Sequence, residues 1–228
     1  MDRQYLKKAL ARYAVMGLVV AAVLVLGSGR WDWTRAWLYV ALTVSAQAVV
    51  GVVVERVSPG LLAERARFPK DSEWWDKVLA PVVAAVGPLA MWGTAAWEAR
   101  RAWPLGIPWM WSLMGISLCV VSMVFAAWAM VSNRFFASTV RIQTERGHMV
   151  VDGGPYRYVR HPGYAGALAF TLATPLALGS WWALWPAVFT VVALVVRTGL
   201  EDRLLQARLD GYAEYAGRVR NRLVPWVW

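Results

Sequence analysis

The chain has 228 residues, of which 59% are hydrophobic and only 17% charged, with 16 Trp and a net charge of +10. An average soluble domain is about one quarter charged, so this composition excludes an ordinary soluble protein and favours one whose solvent is partly lipid. Because Lys and Arg lie between apolar stretches, a membrane surface explains the positive charge, and no nucleic-acid partner is expected. The single cysteine, Cys119, lies in an apolar run, and no metal site is expected.

Six apolar stretches predict an all-α polytopic membrane protein with about six transmembrane helices. They cover residues 13–26, 36–54, 78–97, 109–131, 164–178 and 181–196. No polar linker divides them, so residues 1–228 are predicted to form a single membrane domain. Only Gly179 and Ser180 separate the last two stretches, which predicts a tight C-terminal helical hairpin. The fifth stretch is short for a full span and is expected to tilt or to turn within the membrane.

The positions of the basic residues predict the orientation. Most Lys and Arg lie in the N-terminus, residues 55–77, residues 132–162 and the C-terminal tail, which share one side if there are six spans. The positive-inside rule makes that side cytoplasmic, and we expect a multi-pass protein of the inner cell membrane. Trp residues near the predicted outer ends are expected to form an aromatic belt: Trp31, Trp33, Trp37, Trp97, Trp103, Trp109, Trp181 and Trp182.

Residues 58–77 mix apolar and charged side chains after Pro59 and Gly60 break the second helix. Two interpretations stay open for this segment. It is either an amphipathic stretch on the membrane surface or an ordinary cytoplasmic loop.

Polar side chains concentrate in residues 133–163 and 197–225, on either side of the last hairpin. A hairpin brings its two ends together, so the sequence predicts a site at the membrane boundary.

Arg197 ends an apolar run, and Glu201 follows four residues later on the same helix face. A charged side chain in a transmembrane span costs roughly 2.5–3.5 kcal/mol on insertion scales, so a charged residue found there usually has a function. Alternatively, Arg197 snorkels to the headgroups and pairs with Glu201.

The loop 147–166 contains both histidines of the chain and several Gly and Pro residues that force turns. Taken alone, the position of His161 favours a structural role, in which it fixes a turn by hydrogen bonding, rather than a catalytic role. An ordered set of motifs runs through this loop and beyond the hairpin: Gly154-Pro155-Tyr156, Arg160-His161-Pro162-Gly163-Tyr164 with Gly166, Glu201-Asp202, Tyr212 with Tyr215, and Pro225.

This ordered set resembles the isoprenylcysteine carboxyl methyltransferase family and its phospholipid methyltransferase relatives. The resemblance covers about residues 133–225 and implies S-adenosylmethionine as cofactor, bound at the cytoplasmic face by the loop before the hairpin and the helix after it. By position, it implies these cofactor contacts: Gln143, His148, Met149, Val150, Val151, Tyr156, His161, Pro162, Gly163, Tyr164 and Glu201. Residues 133–228 would then be the cofactor-binding methyltransferase core, and residues 1–132 the N-terminal transmembrane helices.

The resemblance also implies that Arg197, one helical turn before Glu201, is the catalytic-site residue that faces an acceptor carboxylate. The expected partners are a lipid-like or prenylated small-molecule acceptor and the membrane lipids. A carboxylate needs no general base, and a guanidinium can hold it in a bidentate fork.

Three features depart from the family pattern and leave the acceptor open. The loop between Gln143 and His148 is short, the stretch before Tyr212 lacks one residue, and six spans differ from the eukaryotic members. A thiol or a phospholipid amine are alternative acceptors. A sterol-type reductase that uses NADPH and a membrane scaffold without activity are the remaining alternatives.

Overall fold

The computed structural model describes residues 3–65, 72–101 and 107–228, and within these ranges the chain is helical with no β-strand. The all-α prediction is therefore confirmed for the described residues. The helices are α1 (Arg3–Ala21, continued by a π-helical turn Ala22–Leu26), α2 (Thr34–Val57), α3 (Leu61–Arg65), α4 (Asp76–Pro81), α5 (Gly87–Arg100), α6 (Trp109–Ser132), α7 (Pro162–Leu178), α8 (Leu184–Arg208) and α9 (Tyr212–Arg218). A π-helical turn, Val82–Val86, joins α4 to α5 into one rod.

Four helical rods among the described residues are long and apolar enough to cross a membrane: α2, the rod Asp76–Arg100, α6 and α8. The chain is thus a multi-pass membrane protein. The predicted first and fifth spans are shorter, since α7 has 17 residues and the apolar part of the first is Leu10–Leu26. Seventeen residues rise ~26 Å, slightly less than the ~30 Å hydrocarbon core. The count of six remains a prediction.

The predicted C-terminal hairpin is present, with a longer second arm than expected. Gly179 ends α7 in the left-handed conformation, with φ of 70°, and donates its N–H to the Leu176 carbonyl. Residues 181 and 182 belong to the turn, so α8 begins at Leu184 rather than at 181. It continues to Arg208, well beyond the apolar run, so Arg197 and Glu201 both lie inside the helix.

Helices α6 and α7 pack backbone against backbone. A Cβ built on Gly115 of α6 would lie 2.5 Å from the Ala177 backbone nitrogen of α7. On the other side of the same interface, a Cβ built on Gly166 would lie 2.9 Å from the Ser122 carbonyl oxygen. Small residues at such crossings are typical of membrane helices, which gain mainly from close van der Waals contact.

The polar connections gather at one end of the bundle. The Val140 N–H donates to Asp76 at the start of α4, and the Ser138 hydroxyl donates to the Arg65 carbonyl at the end of α3. The Arg160 N–H donates to the Asn221 carbonyl in the C-terminal segment. Loops that are far apart in sequence therefore meet at this end.

The tryptophan predictions hold in part. Trp31, Trp37, Trp97, Trp109, Trp181 and Trp182 are exposed on the helix surface, as an aromatic belt requires. Trp33 is buried in the core cluster with Ala36 and Leu178, so its assignment to the belt is wrong. Trp103 and residues 66–71 of the mixed segment lie outside the described residues.

The α6–α7 contact predicts an unequal response to the same small substitution. Gly115→Ala should lower the free energy of unfolding by about 1–3 kcal/mol, because backbone atoms of α7 occupy the space of the new methyl group. Gly93→Ala is the matched control, since nothing lies within 4 Å of a Cβ there. Thermal unfolding in detergent measures both variants. Equal stability of the two variants would contradict this account of the interface.

Candidate active site

A cavity of about 590 Å³ opens at the polar end of the bundle and extends between the helices. All the residues predicted from sequence line it except Pro162: Gln143, His148, Met149, Val150, Val151, Tyr156, His161, Gly163, Tyr164, Arg197 and Glu201. Pro162 is buried in the first turn of α7, where its missing N–H leaves no helical hydrogen bond unmade. The deeper part is apolar, with Met91, Trp92 and Phe170 among its walls.

Glu201 lies on the cavity wall with one carboxylate oxygen engaged. The Tyr164 hydroxyl donates to Oε2, while Oε1 makes no hydrogen bond within the described residues. Tyr164 is itself held between two groups: its ring stacks on His161 at 5.8 Å, and the Arg197 guanidinium lies 5.1 Å from its centroid. The second oxygen of Glu201 is thus available to a cationic ligand.

Arg197 pairs with Asp76 and not with Glu201. Its Nε donates to Asp76 Oδ1 at 2.7 Å, and its Nη2 donates to the Ser138 carbonyl at 3.0 Å. Asp76 is fully buried and also accepts the Val140 N–H. The sequence-based pairing of Arg197 with Glu201 is therefore wrong, because packing of α4 against α8 brings a nearer carboxylate. Arg197 Nη1 makes no hydrogen bond within the described residues.

Asp202 forms the centre of a buried polar network behind the cavity. Its side chain is fully buried and accepts two hydrogen bonds from Arg160, at 2.7 and 2.8 Å. Arg222, Gln206 and Tyr212 donate to it as well, at 2.9, 2.9 and 3.1 Å, and a His161 ring nitrogen lies 3.2 Å away. A buried carboxylate is tolerated when its lone pairs are satisfied in this way.

Arg160 extends this network to the C-terminal segment. Its Nη1 donates to the carbonyls of Val219 and Arg220, at 2.7 and 3.0 Å, just beyond the end of α9. Burial acts against the charged form, but the hydrogen bonds to Asp202 outweigh it and raise the pKa of Arg160. The loop before α7, the end of α8 and the chain end are thereby joined through two side chains.

Gln143 and His148 shape the wall of the cavity through bonds to their own loop. Gln143 is fully buried, donates to the Phe135 carbonyl and accepts from Arg146, each at 2.6 Å. His148 Nδ1 accepts the Gln143 N–H at 3.3 Å. Burial, with the positive charges nearby, lowers the pKa of His148 to about 4. The ring is therefore neutral at pH 7, with its proton on Nε2.

Tyr156 is held from both ends. Its hydroxyl accepts a hydrogen bond from Asn133 at 3.2 Å, and its carbonyl accepts one from the Tyr215 hydroxyl at 2.7 Å. Burial raises the pKa of Tyr156, so the phenol stays protonated. Val150 and Val151 pack on the same cluster. The aromatic rings of this wall thus have fixed positions.

Four charged residues of the site were not predicted from the sequence: Asp76, Asp202, Arg160 and Arg65. Asp202 and Arg160 belong to the motifs named above. Their position next to Glu201 and His161 was the signal that could have assigned them to the site. Adjacent residues on a helix point about 100° apart, so Glu201 and Asp202 must face different surroundings. Asp76 carried a weaker signal as an acid at the start of an apolar helix. Arg65 carried none.

Comparisons with known proteins agree with the motif analysis. Residues 110–209 match the family model described as phospholipid methyltransferase. The chain is 31% identical over 120 residues to a probable protein-S-isoprenylcysteine O-methyltransferase in each of Oryza sativa subsp. indica and subsp. japonica, covering 50% of this chain and 62% of the relative. It is 28% identical over 127 residues to protein-S-isoprenylcysteine O-methyltransferase B of Arabidopsis thaliana, covering 52% and 61%.

The chain thus spans somewhat less than two thirds of the length of these curated relatives. The matched region contains α6, the loop with Arg160-His161-Pro162, α7 and α8, which are the elements that build the polar wall of the cavity. The resemblance drawn from the motifs is confirmed: residues 110–209 match the phospholipid methyltransferase family model, and about half of the chain is similar to protein-S-isoprenylcysteine O-methyltransferases.

Proposed function

We propose that the protein is an integral membrane methyltransferase that uses S-adenosylmethionine to methylate the carboxylate of a lipid-like acceptor. One observation carries the proposal. A single cavity holds the carboxylate of Glu201, with one oxygen free, and the guanidinium of Arg197, and it continues into an apolar chamber. The similarity to isoprenylcysteine O-methyltransferases supports it.

The polar part of the cavity fits the cofactor. Glu201 Oε1 would hold the ammonium group by a charge-assisted hydrogen bond. The ring of Tyr156 would pack on the adenine, and the backbone around His161 and Gly163 would meet its edge. The absence of a side chain at Gly163 lets the Phe136 ring pack closely against this backbone, since a Cβ built on Gly163 would lie 2.6 Å from that ring. When bound, the cofactor supplies a methyl group already activated by the adjacent sulfonium.

The chain's own residues would act by positioning. Arg197 is fixed by Asp76 and by the Ser138 carbonyl, so its remaining Nη1 is presented without loss of side-chain freedom on binding. A carboxylate held there is already deprotonated and needs no base. Orienting the two reactants in a dry site is the main contribution that such a protein makes.

The apolar part of the cavity suits the tail of the acceptor. Met91, Trp92, Phe170 and Leu194 contribute apolar walls between the helices. An acceptor that combines one anionic head with a prenyl or acyl tail matches both ends of this space. Such a molecule would enter from the bilayer, where it is concentrated.

A phospholipid amine is the second candidate acceptor, because the matching family model is described as phospholipid methyltransferase. An amine must lose its proton before it can attack, so this reaction would require a base that a carboxylate does not. An acceptor panel separates the two reactions.

We also propose that the protein lies in the inner cell membrane with its polar end facing the cytoplasm, because the basic loops gather at that end. Single cysteines at positions 2 and 228, introduced in a Cys119→Ala background, should both resist a membrane-impermeant label added from outside. They should react once the membrane is opened. Labelling of either position from outside would exclude six spans with both termini inside.

Glu201 and Asp202 are neighbours with different predicted roles. Glu201→Gln should weaken S-adenosylmethionine binding roughly 10- to 150-fold, since a hydrogen bond to a charged group contributes about 1.5–3 kcal/mol. The stability of Glu201→Gln should change little, because Tyr164 can still donate to the amide oxygen.

Asp202→Asn should instead lower the free energy of unfolding by about 3–5 kcal/mol, because it leaves Arg160 buried without its carboxylate.

Calorimetric titration and thermal unfolding in the same detergent measure the two effects of this pair of substitutions. Undiminished cofactor affinity in Glu201→Gln would remove that residue from the cofactor site. Unchanged stability in Asp202→Asn would refute the structural role of the buried network.

Arg197→Lys tests the acceptor side. It keeps the charge next to Asp76 but loses the planar fork, so cofactor affinity should stay within about twofold while turnover on carboxylate acceptors falls about tenfold or more. The panel contains prenylated thioacids, fatty acids, thiols and phosphatidylethanolamine, with transfer of a labelled methyl group as readout. Arg208→Lys is the control, an exposed Arg on the same helix.

Unchanged turnover of the best acceptor in Arg197→Lys would exclude the carboxylate fork and favour a thiol or an amine. A parallel fall in cofactor affinity and turnover would mean that Arg197 only braces the cofactor site.

A further inference from the structure

Arg65 is a second guanidinium on the wall of the same cavity. It is the last residue of α3 and lies outside the region that matches the family model. Its guanidinium carbon is 4.9 Å from the centroid of the Phe136 ring. Its Nη1 is buried and has no hydrogen-bond partner among the described residues. A buried N–H of a charged group without a partner is costly and calls for an explanation.

Arg65 and Arg197 are joined through one short segment of the loop after α6. Ser138 donates its hydroxyl to the Arg65 carbonyl at 2.8 Å, and its own carbonyl accepts Arg197 Nη2 at 3.0 Å. The two guanidinium groups are close enough to interact. Burial lowers the pKa of Arg65, and the positive charge of Arg197 adds to this effect, while neighbouring tyrosines oppose it.

Among the described residues that line the cavity, Arg65 is a cation without a carboxylate partner. Arg197 is neutralised by Asp76, and Glu201 has its free oxygen directed to the cofactor under the proposed function. No carboxylate lies within ion-pair distance of Arg65 among the described residues. Without a ligand, the desolvated charge of Arg65 therefore has no anionic partner, which is unfavourable in a poorly hydrated site.

The position of Arg65 indicates which part of a ligand it would meet. Helix α3 packs against α1 and α2, which supply Met16, Tyr39 and Gln47 to the deeper chamber. Phe136, beneath the Arg65 guanidinium, also faces Gly163 in the polar wall. Arg65 thus stands where the apolar chamber meets the polar part, at the expected level of an acceptor's head group.

We propose that Arg65 is the second guanidinium of an oxyanion subsite, and that together with Arg197 it selects acceptors whose head group is a carboxylate. The inference rests on the proposed function and deepens it. Arg197, already paired with Asp76, contributes orientation through Nη1. Arg65 contributes the net positive charge that the anion requires, and it comes from the part of the chain outside the matched region.

The test is equilibrium binding to the full chain in detergent, without cofactor, followed by intrinsic Trp fluorescence. The probes are an S-prenylated N-acetylcysteine and its uncharged carboxamide, and S-adenosylmethionine is titrated separately. Arg65→Gln should weaken binding of the carboxylate about tenfold or more, and leave the carboxamide and S-adenosylmethionine within about twofold. Arg65→Lys should restore part of the loss, because the charge returns without the fork.

Arg56→Gln is the matched control, an exposed Arg at the end of α2 on the same side of the bundle, and it should bind both probes like the parent. Equal affinity of the parent and Arg65→Gln for the carboxylate would overturn the proposal. So would a loss confined to S-adenosylmethionine, which would assign Arg65 to the cofactor's own carboxylate.

A different result would refute the proposed function, namely that the parent protein transfers no methyl group to any acceptor of the panel. The binding measurement does not depend on turnover, so it decides the role of Arg65 in that case as well.

Discussion

The ion pair between Arg160 and Asp202 is the interaction on which the polar half of the structure depends. Asp202 is fully buried and accepts hydrogen bonds from the loop before α7, from α8, from α9 and from the C-terminal segment. Arg160 closes the network by binding the carbonyls beyond α9. Since an unpaired charge at this depth would be strongly destabilising, these segments can only adopt positions that keep the pair intact. Those positions also place His161 and Tyr164 on the cavity wall.

A second buried pair, Asp76 with Arg197, connects the N-terminal helices to this core. It explains how an arginine can remain inside a helical bundle: its charge is compensated within the protein, and one nitrogen is left over for a ligand. This compensation of charge also changes how Arg197 can act on an anionic ligand. A fully neutralised arginine can orient an anion but attracts it weakly, and this is why the additional charge of Arg65 matters to the proposed acceptor specificity.

Much of the fold was predictable from the sequence because each helix is encoded locally. Apolar runs, the Gly179 turn and the Gly and Pro residues of the 147–166 loop act over a few residues, so the α6, α7 and α8 regions and the hairpin were found. The wall-lining residues were found for another reason, the resemblance to a family. Boundaries were less accurate: α8 begins three residues later than its apolar run and continues through Arg197 and Glu201, because packing and pairing override composition there.

The sequence by itself determined that this is a helical multi-pass membrane protein with its polar residues in two segments around a hairpin, since hydrophobicity and turn chemistry are local properties. Only the tertiary structure decided the partners of the charges. Arg197 and Asp76 are 121 residues apart, Arg160 and Asp202 are 42 apart, and the Arg65 carbonyl meets the Ser138 hydroxyl across 73 residues. Pair energies depend on the distance and burial of atoms in space, and neither can be read from spacing along a chain.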